Sequence, residues 1–499
     1  MNHNHKELVV SRTAGTSVTF IVDQPADWLV LEFDYEREHT WRTLNLFDPH
    51  GAVRASHLDC YNGKKIAIHN DSTLCSYLTV PGAILEGSWR IEFVDNFEPT
   101  EQSFKLSVKS GSGPLLDDVA ATFGERQFWT DDTGAKAHYE LHHYDWEACK
   151  EKGARWYKGD FHTHTILSDG KMTPEQNMEQ AEVMGLDFFV ATDHNLFSTC
   201  WPVGNVLVIP GIEFTSDYGH WNGLGLRQWI DWRYRAADGG IGTQEGMNRV
   251  MAEAGLQGAL RSVNHPMLVP WAWMYEETPL LEFDTIEIWN DPTYHSNPIA
   301  TEKALKLWNA CWNEGWRITG IGGSDSHMLP TESYGENNLP SLIGDPATYV
   351  YADCLSAVAI LEAVKAGRVY VSRGPVLDIA VTVGHQVFLP GSDLTDVVRQ
   401  SAVGVLHGRL TVSNLSEGVL HVIENGEEIG TREITDKDRN FDFDLNWKDA
   451  DYVWRRFELR KPSGELLAFT NPFFCGAKRP EIATWKQLLD KAAFESPIN

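Results

Sequence analysis

The chain has 499 residues, 42% hydrophobic and 22% charged, with 41 Gly and 22 Pro. These values exclude collagenous, coiled-coil and broadly disordered classes, and the length predicts about two to four domains. Forty-two Lys plus Arg against 70 Asp plus Glu give a formal net charge of −28. Bulk binding to nucleic-acid backbone or an anionic membrane is therefore disfavoured, although a local cationic site can still take a small anion.

From about residue 8 to 110 the chain reads as short β runs, including Val18–Val22, Trp28–Phe33 and Trp89–Phe93. Turn signals at Asp48-Pro49, Asn62-Gly63 and Pro81-Gly82 separate such runs, a spacing that predicts a β-sandwich-like domain over 1–135. His3 and His5 fall in a polar terminus expected to be unstructured. A Trp- and His-rich stretch, 136–155, reads as a linker packed on a neighbour. In it His138 and His142 have helical i, i+4 spacing, but without the glutamate placement of a zinc-protease helix they are expected to pack or cap at a junction.

Over 156–375 strands alternate with amphipathic helices. Thr173-Pro174-Glu175-Gln176 is a capping box, with Met178, Ala181 and Met184 on one face and Gly185 as a stop. Strand candidates follow at 187–192, 206–209, 260–264, 285–289 and 317–321. Helices are expected around Met247, Val250, Met251 and Ala254 and over 302–312. Repeated βα units imply a parallel sheet or a barrel. Beyond Pro375 β patterning returns over 376–478, with turns at Asn425-Gly426 and Pro462-Ser463-Gly464. A helical tail, 479–499, carries Trp485, Leu488, Leu489 and Ala492. No run approaches the roughly 20 apolar residues of a membrane span, and the first residues lack the apolar stretch of a secretion signal. The seven cysteines are scattered, which suits a reducing, cytoplasmic setting; Cys200 and Cys311 are expected to be buried thiols.

Nineteen histidines and 19 tryptophans are the oddity of composition. In the middle segment, histidines and acids cluster at or just after strand ends, where ligands bind in α/β sheets and barrels. His162-Thr163-His164 places two imidazoles on one face of an extended segment, and Asp169 follows before Gly170. Then come His194 in Thr-Asp-His, Glu213 in Gly-Ile-Glu, His220 in Gly-His, His265 in Asn-His-Pro, and Asp325 and His327 in Gly-Ser-Asp-Ser-His. A lone His-X-His is ordinarily surface or core, but several such elements in βα order are not explained that way. Six imidazoles and three carboxylates with no thiolate suit Zn, Mn, Fe or Co, and nine ligands exceed what one ion requires. Two or three divalent ions sharing a carboxylate is the expected count. Trp271 and Trp273 are candidates for a pocket wall.

These motifs, in this order, resemble the PHP (polymerase and histidinol phosphatase) metal-dependent hydrolases, nearest the CehA/McbA-like branch. The Gly367–Pro375 segment resembles the one that closes such a domain. The resemblance covers about 156–375 and implies an α/β fold, a distorted (β/α)7 barrel with the metal cluster at its C-terminal mouth, flanked by β-sandwich-like domains. Carried over by motif, His162, His164, Glu213 and Asp325 hold one ion. Glu213, His220 and His265 hold a second, and Asp169, His194 and His327 a third.

Paired ions imply phosphoester hydrolysis, in which a metal-bridging hydroxide attacks a small phosphate ester. Arg373 is a candidate to bind the anion or to form an interdomain salt bridge, Asn290 to orient substrate, and His295 to act as general acid. The alternative is a carbaryl-type carbamate or carboxylic ester hydrolase using the same water, which an aromatic-lined mouth would favour. A third reading is a non-catalytic binding scaffold. The flanking β domains are candidates for substrate recognition, for shielding the mouth or for building a homo-oligomer.

Overall fold

The computed structural model describes residues 3–12, 17–35, 42–58, 65–95, 102–114, 125–132, 138–335, 338–401, 405–448 and 450–494. The molecule is a mixed α/β protein, mostly sheet with few helices. No helix among the described residues is long and apolar enough to cross a membrane.

At the N-terminal end, two four-stranded antiparallel sheets form. Alternation along Trp28–Tyr35 sends Leu29, Leu31 and Phe33 into one core with Phe20, Leu44, Ile66, Trp89 and Ile91, as facing sheets require. Asp48-Pro49 is a turn, closed by Gly51 N–H donating to the Asp48 carbonyl. The Asn62-Gly63 signal lies outside the described residues. His3 and His5 are not in a loose terminus: they begin the strand His3–Arg12, which pairs along its whole length with Gln102–Gly111. Its polar first residues are carried by main-chain pairing, while Leu8 further along packs against the core of the two sheets.

The central sheet follows the chain from Glu151–Asp160 through Phe188–Ala191 and Leu207–Ser216 in parallel. It then turns back through the antiparallel strand Gly219–Leu224, before Leu260–Val263, Thr285–Asn290 and Thr319–Gly323 continue in parallel. The antiparallel hairpin is an addition to the expected βα alternation; the two-residue Asp217-Tyr218 connection leaves no room for a crossover helix. The hydrogen-bonded path is open, but its ends meet at the histidines. Thr163 bridges Ser326 in parallel, and Asp325 N–H donates to the His162 carbonyl at 2.8 Å.

Helix Pro174–Val183 carries the expected capping box at Thr173 and buries Met178 and Ala181. Helix Gln244–Leu256 buries Met247, Val250, Met251 and Ala254. Asn297–Asn313 starts earlier than the sequence indicates: Ser296 makes no side-chain cap, so the usual start signal is missing.

On its other side Glu151–Asp160 pairs with Ala347–Leu355, that strand with Val369–Ser372, and Val369–Ser372 with Leu466–Thr470. The sheet therefore runs past residue 375 without a break in pairing. Trp308 meets Phe469 at 5.7 Å and Trp312 meets Trp454 at 6.1 Å, so helix Asn297–Asn313 packs on C-terminal strands. A separate four-stranded sheet holds Val376–Val383, Gln386–Phe388, Val405–Ser413 and Asn440–Asn446. The last helix, Trp485–Lys491, buries Trp485, Leu488 and Leu489.

Candidate metal centre

Asp160 ends the first central strand and organises the loop after it. Its Oδ1 accepts from the main-chain N–H of His162 and of Ser324, both at 3.0 Å, and Oδ2 accepts from Gly344 N–H. Extended geometry then sends His162 and His164 one way, while Thr163 between them turns away to donate to the Val190 carbonyl. In Thr-Asp-His the two polar side chains divide the work. Asp193 accepts from Thr165 N–H at 2.8 Å and Ser168 Oγ at 2.6 Å, folding back the loop that carries Asp169. His194 faces the cluster. His265 and Asp325 sit at φ 29° and 49°, left-handed conformations uncommon for such residues and typical of places where surroundings hold a functional side chain.

Glu213, fully buried, is the hub. Its Oε1 lies 3.2 Å from His162 Nε2, 3.3 Å from His220 Nδ1 and 3.6 Å from His265 Nε2. Oε2 lies 2.7 Å from His194 Nδ1 and 3.4 Å from His164 Nε2. Asp325 Oδ1 stands 3.2 Å from His162 Nε2 and 3.0 Å from His164 Nε2. Asp169 Oδ1 stands 3.3 Å from His327 Nε2 and 3.5 Å from His194 Nε2. Ligand atoms within 4.8 Å of one another form four overlapping groups: His162/His164/Glu213, His162/His265/Asp325, His194/Glu213/His220 and His164/Asp169/His194/His327. All nine motif residues are thus brought together. His194 faces two ways, its Nδ1 toward Glu213 and its Nε2 toward Asp169.

The donor set fits divalent ions. His162 Nε2, both nitrogens of His164, Asp169 Oδ1, Glu213 Oε2, His220 Nδ1 and His265 Nδ1 are buried without a hydrogen bond, a costly arrangement unless a cation takes their lone pairs. Without metal the groups balance each other electrostatically. Burial opposes the charge of Glu213, but His162, His194 and His220 overcome it and hold the carboxyl well below its usual range. Burial, with His327 and His194 beside it, pushes His164 down to about 3. Burial also takes His220 down to about 4 against the pull of Glu213. In His327 burial is outweighed by Asp169, and the imidazole rises to about 10.

Several positioning residues were not singled out from the sequence. Buried Glu287 accepts from His162 Nδ1 at 3.0 Å and from His265 N–H at 2.7 Å, fixing both histidines at once. Asn264 donates to Glu213 Oε1 at 2.8 Å. A lone acid in the apolar run Thr285-Ile-Glu-Ile-Trp was the available signal, because a buried charge requires partners.

A cavity of about 690 Å³ opens over the cluster. Asp169, His194, His220, His265, Asp325 and His327 form its floor; Leu268, Pro270, Trp271, Tyr294, Met328 and Tyr334 give it an apolar and aromatic wall, and Lys171, Thr215, Ser216, Asp217, Asn290, Asp291 and Asn297 complete the lining. Trp271 meets Tyr294 at 6.1 Å, and Tyr294 meets Tyr334 at 5.2 Å. Trp273 is instead fully buried against Tyr275 and Phe283. Among the described residues lining the cavity, Lys171 is the only lysine or arginine, and it is bonded to Glu332 at 2.8 Å.

Asn290 reaches the cavity, but its amide donates to Asp325 Oδ2 at 3.2 Å and Glu287 Oε2 at 3.1 Å, and its oxygen accepts from Asn297. Arg373 does not line this cavity; it pairs with Asp345 at 2.9 Å and faces another. His295 is exposed, its ring against Tyr294 and outside the cavity lining. His138 stacks on Trp229 at 4.8 Å, and no helix forms there. Cys200 and Cys311 are buried free thiols.

No family model matches the chain, and no curated protein matches it. Among solved structures it is similar to a two-domain protein containing predicted PHP-like metal-dependent phosphoesterase from Bacteroides vulgatus ATCC 8482. That likeness has 17% identity, 66% of this chain, 98% of the other and a TM-score of 0.35. It is also similar to a candidate metal-dependent phosphoesterase from Bifidobacterium adolescentis ATCC 15703, with 14% identity, 36% of this chain, 92% of the other and a TM-score of 0.22.

Proposed function

We propose that this protein is a metal-dependent hydrolase acting on a small ester, with a phosphate ester as the leading substrate class. The observation that carries this is Glu213, whose two oxygens stand within 3.6 Å of five imidazoles. That is the donor arrangement of a carboxylate shared between ions. His162, His164, Glu213 and Asp325 would hold one divalent ion; Glu213, His220 and His265 a second; Asp169, His194 and His327 a third. Manganese, zinc and iron all suit these donors. Ions bound there would supply a water made acidic enough to attack near neutral pH, and positive charge for the oxygens of the ester.

The chain's own contributions are distinct. Glu287, Asn264 and Asp193 fix the orientation of the ligands, and outer partners of this kind govern metal affinity and activity. Asn290 positions Asp325 rather than substrate. Trp271, Tyr294 and Tyr334 exclude water on one side and present flat apolar surface to the leaving group. The seven central strands are read as a distorted barrel whose closure is the Thr163–Ser326 bridge. The divisions at 135, 155, 375 and 478 belong to this proposal as divisions of the sequence only, since strand Glu151–Asp160 spans 155 and the sheet pairs across 375; a cytoplasmic setting and a homo-oligomer built through the β domains belong to it too.

A second reading, hydrolysis of a carbamate or carboxylic ester, is favoured by the same aromatic wall. It is favoured too by the engagement of Lys171 with Glu332, which leaves the cavity little cationic charge beyond the ions. Parallel assay of an aryl phosphate and an aryl carbamate on metal-loaded protein separates the two. The phosphate is expected to turn over faster; a phosphate rate far below the carbamate rate would replace the leading reading with the second.

A further inference from the structure

We infer that Asp131, His142 and His143 form another divalent-cation site, separate from the central cluster and clamping the junction beside the N-terminal sheets. The three residues bring two imidazole nitrogens and a carboxylate within 4.8 Å of one another. His142 Nε2 lies 2.9 Å from Asp131 Oδ1, and His143 Nε2 lies 2.9 Å from Oδ2 of the same carboxylate. The two rings are 4.1 Å apart, centre to centre.

Donor counting points to a cation. A neutral imidazole has one N–H. In His142 both partners can only accept: the Glu140 carbonyl oxygen stands 2.9 Å from Nδ1 and an Asp131 carboxylate oxygen 2.9 Å from Nε2. With its one N–H on Nδ1, the tautomer that the main-chain carbonyl holds, Nε2 turns a lone pair toward a carboxylate oxygen, an opposition that a positive ion relieves. An Nδ1–H held by a main-chain carbonyl is also how metal-binding histidines are fixed in tautomer and orientation. Ligand atoms bonded to one ion at about 2.0–2.2 Å are about 3 Å apart across the right angle of a tetragonal Cu(II) or Ni(II) site, which the observed 2.9 Å spacings fit, and about 3.4 Å apart in tetrahedral zinc, which the exposed side chains reach by a small opening. Two imidazoles and one carboxylate select Zn, Ni or Cu(II) rather than Mg or Ca. The exposed setting leaves the remaining positions to water.

The backbone makes this a built site rather than a chance meeting. His143 N–H donates to the Trp129 carbonyl, Trp129 N–H to Thr199, and Asp132 N–H to Pro81, each at 2.8–2.9 Å. The segment 125–132, the turn at 142–143, the central domain and the first sandwich are thus joined within a few residues of the carboxylate. A cation there ties that strap to that turn, which is a stabilising role. It does not depend on the hydrolase reading.

The competing occupant is a second proton on His142, and metal counting distinguishes them. Full-length protein with its central ions in place is equilibrated with micromolar Zn²⁺, and elemental analysis is compared for the native chain, His142→Ala/His143→Ala and Asp131→Asn. Each variant is expected to hold one equivalent fewer. Zn²⁺ is expected to raise the Tm of the native chain and not that of the variants, while hydrolysis by the central site stays within about twofold. Cu²⁺ added at one extra equivalent should show nitrogen hyperfine splitting that the double variant lacks. Equal metal content in all three proteins, or a Tm response surviving in both variants, would overturn the inference.

Discussion

Glu287 is the residue on which the geometry of the cluster leans most without itself being a candidate ligand. Glu287→Gln keeps the shape but weakens the hold on His162 Nδ1, and so the orientation of Nε2 toward Glu213 and Asp325. Changes to such partners typically lower metal affinity or activity by about 10–100-fold. The variant is expected to fall in that range in kcat, with reduced metal content and unchanged Tm of the metal-free protein. Most of the ligands were legible because they stand in short polar motifs at or just after strand ends; Glu213, inside strand Leu207–Ser216, was legible as an acid in an apolar run. Glu287 and Asn264 were not, because their meaning lies in which ligand they face across the sheet, and spacing along the chain carries no record of that.

A second residue-scale effect concerns pH. Burial against Trp229 lowers the pKa of His138 below 6.5, with Asp231 partly opposing it and Arg233 reinforcing it. The folded chain therefore binds fewer protons than the unfolded chain below that value. Its stabilising contribution is present above about pH 6.5 and is lost as pH falls toward the lowered pKa. His138→Phe keeps the stacked ring and removes the titration. Its Tm is expected to drop less than that of the native chain between about pH 7 and 5.5, as followed by thermal melts.

Among the elements, strand Thr319–Gly323 is the one whose close packing bears directly on the cluster. A Cβ on Gly323 would stand 2.5 Å from His162 Cβ and 2.8 Å from Glu287 Oε1, so there is no side chain this position can accept. Gly323→Ala must displace His162 or Glu287, and misplacement by about 1 Å can cost roughly a hundredfold in rate. A loss of that order is expected in kcat, with far-UV circular dichroism unchanged; native activity would show that the strand yields. Element types and most helices were legible from periodicity and caps, as in Thr173 and the Met247/Val250/Met251/Ala254 face. The hairpin through Gly219–Leu224 was not, because its buried residues alternate no differently from those of a parallel strand. The early start of helix Asn297–Asn313 was hidden by a Ser296 that does not cap. The start of strand His3–Arg12 was hidden by polar residues, ordered by pairing with Gln102–Gly111 and by Leu8 packing on the core.

For the whole molecule, the sequence marks a composition change at residue 375 that the sheet ignores. Val369–Ser372 pairs forward with Leu466–Thr470, nearly 100 residues on, and tryptophans from both sides share one core. Pairing between strands so distant in sequence leaves no local signature. The net charge of −28 takes on a local meaning in the cluster, where Asp169, Glu213 and Asp325 are the acids that divalent ions would neutralise. The central claim is that this cluster is a multi-ion hydrolytic centre. Its most direct test is to strip metal from the His142→Ala/His143→Ala protein, restore Mn²⁺, Zn²⁺ or Fe²⁺ in turn, and measure bound equivalents and ester hydrolysis together. The account predicts two or three equivalents per chain, with activity that vanishes on stripping, returns on restoration and is absent in His164→Ala/Asp325→Ala. Less than one equivalent bound, or hydrolysis that survives both stripping and that double substitution, would contradict it.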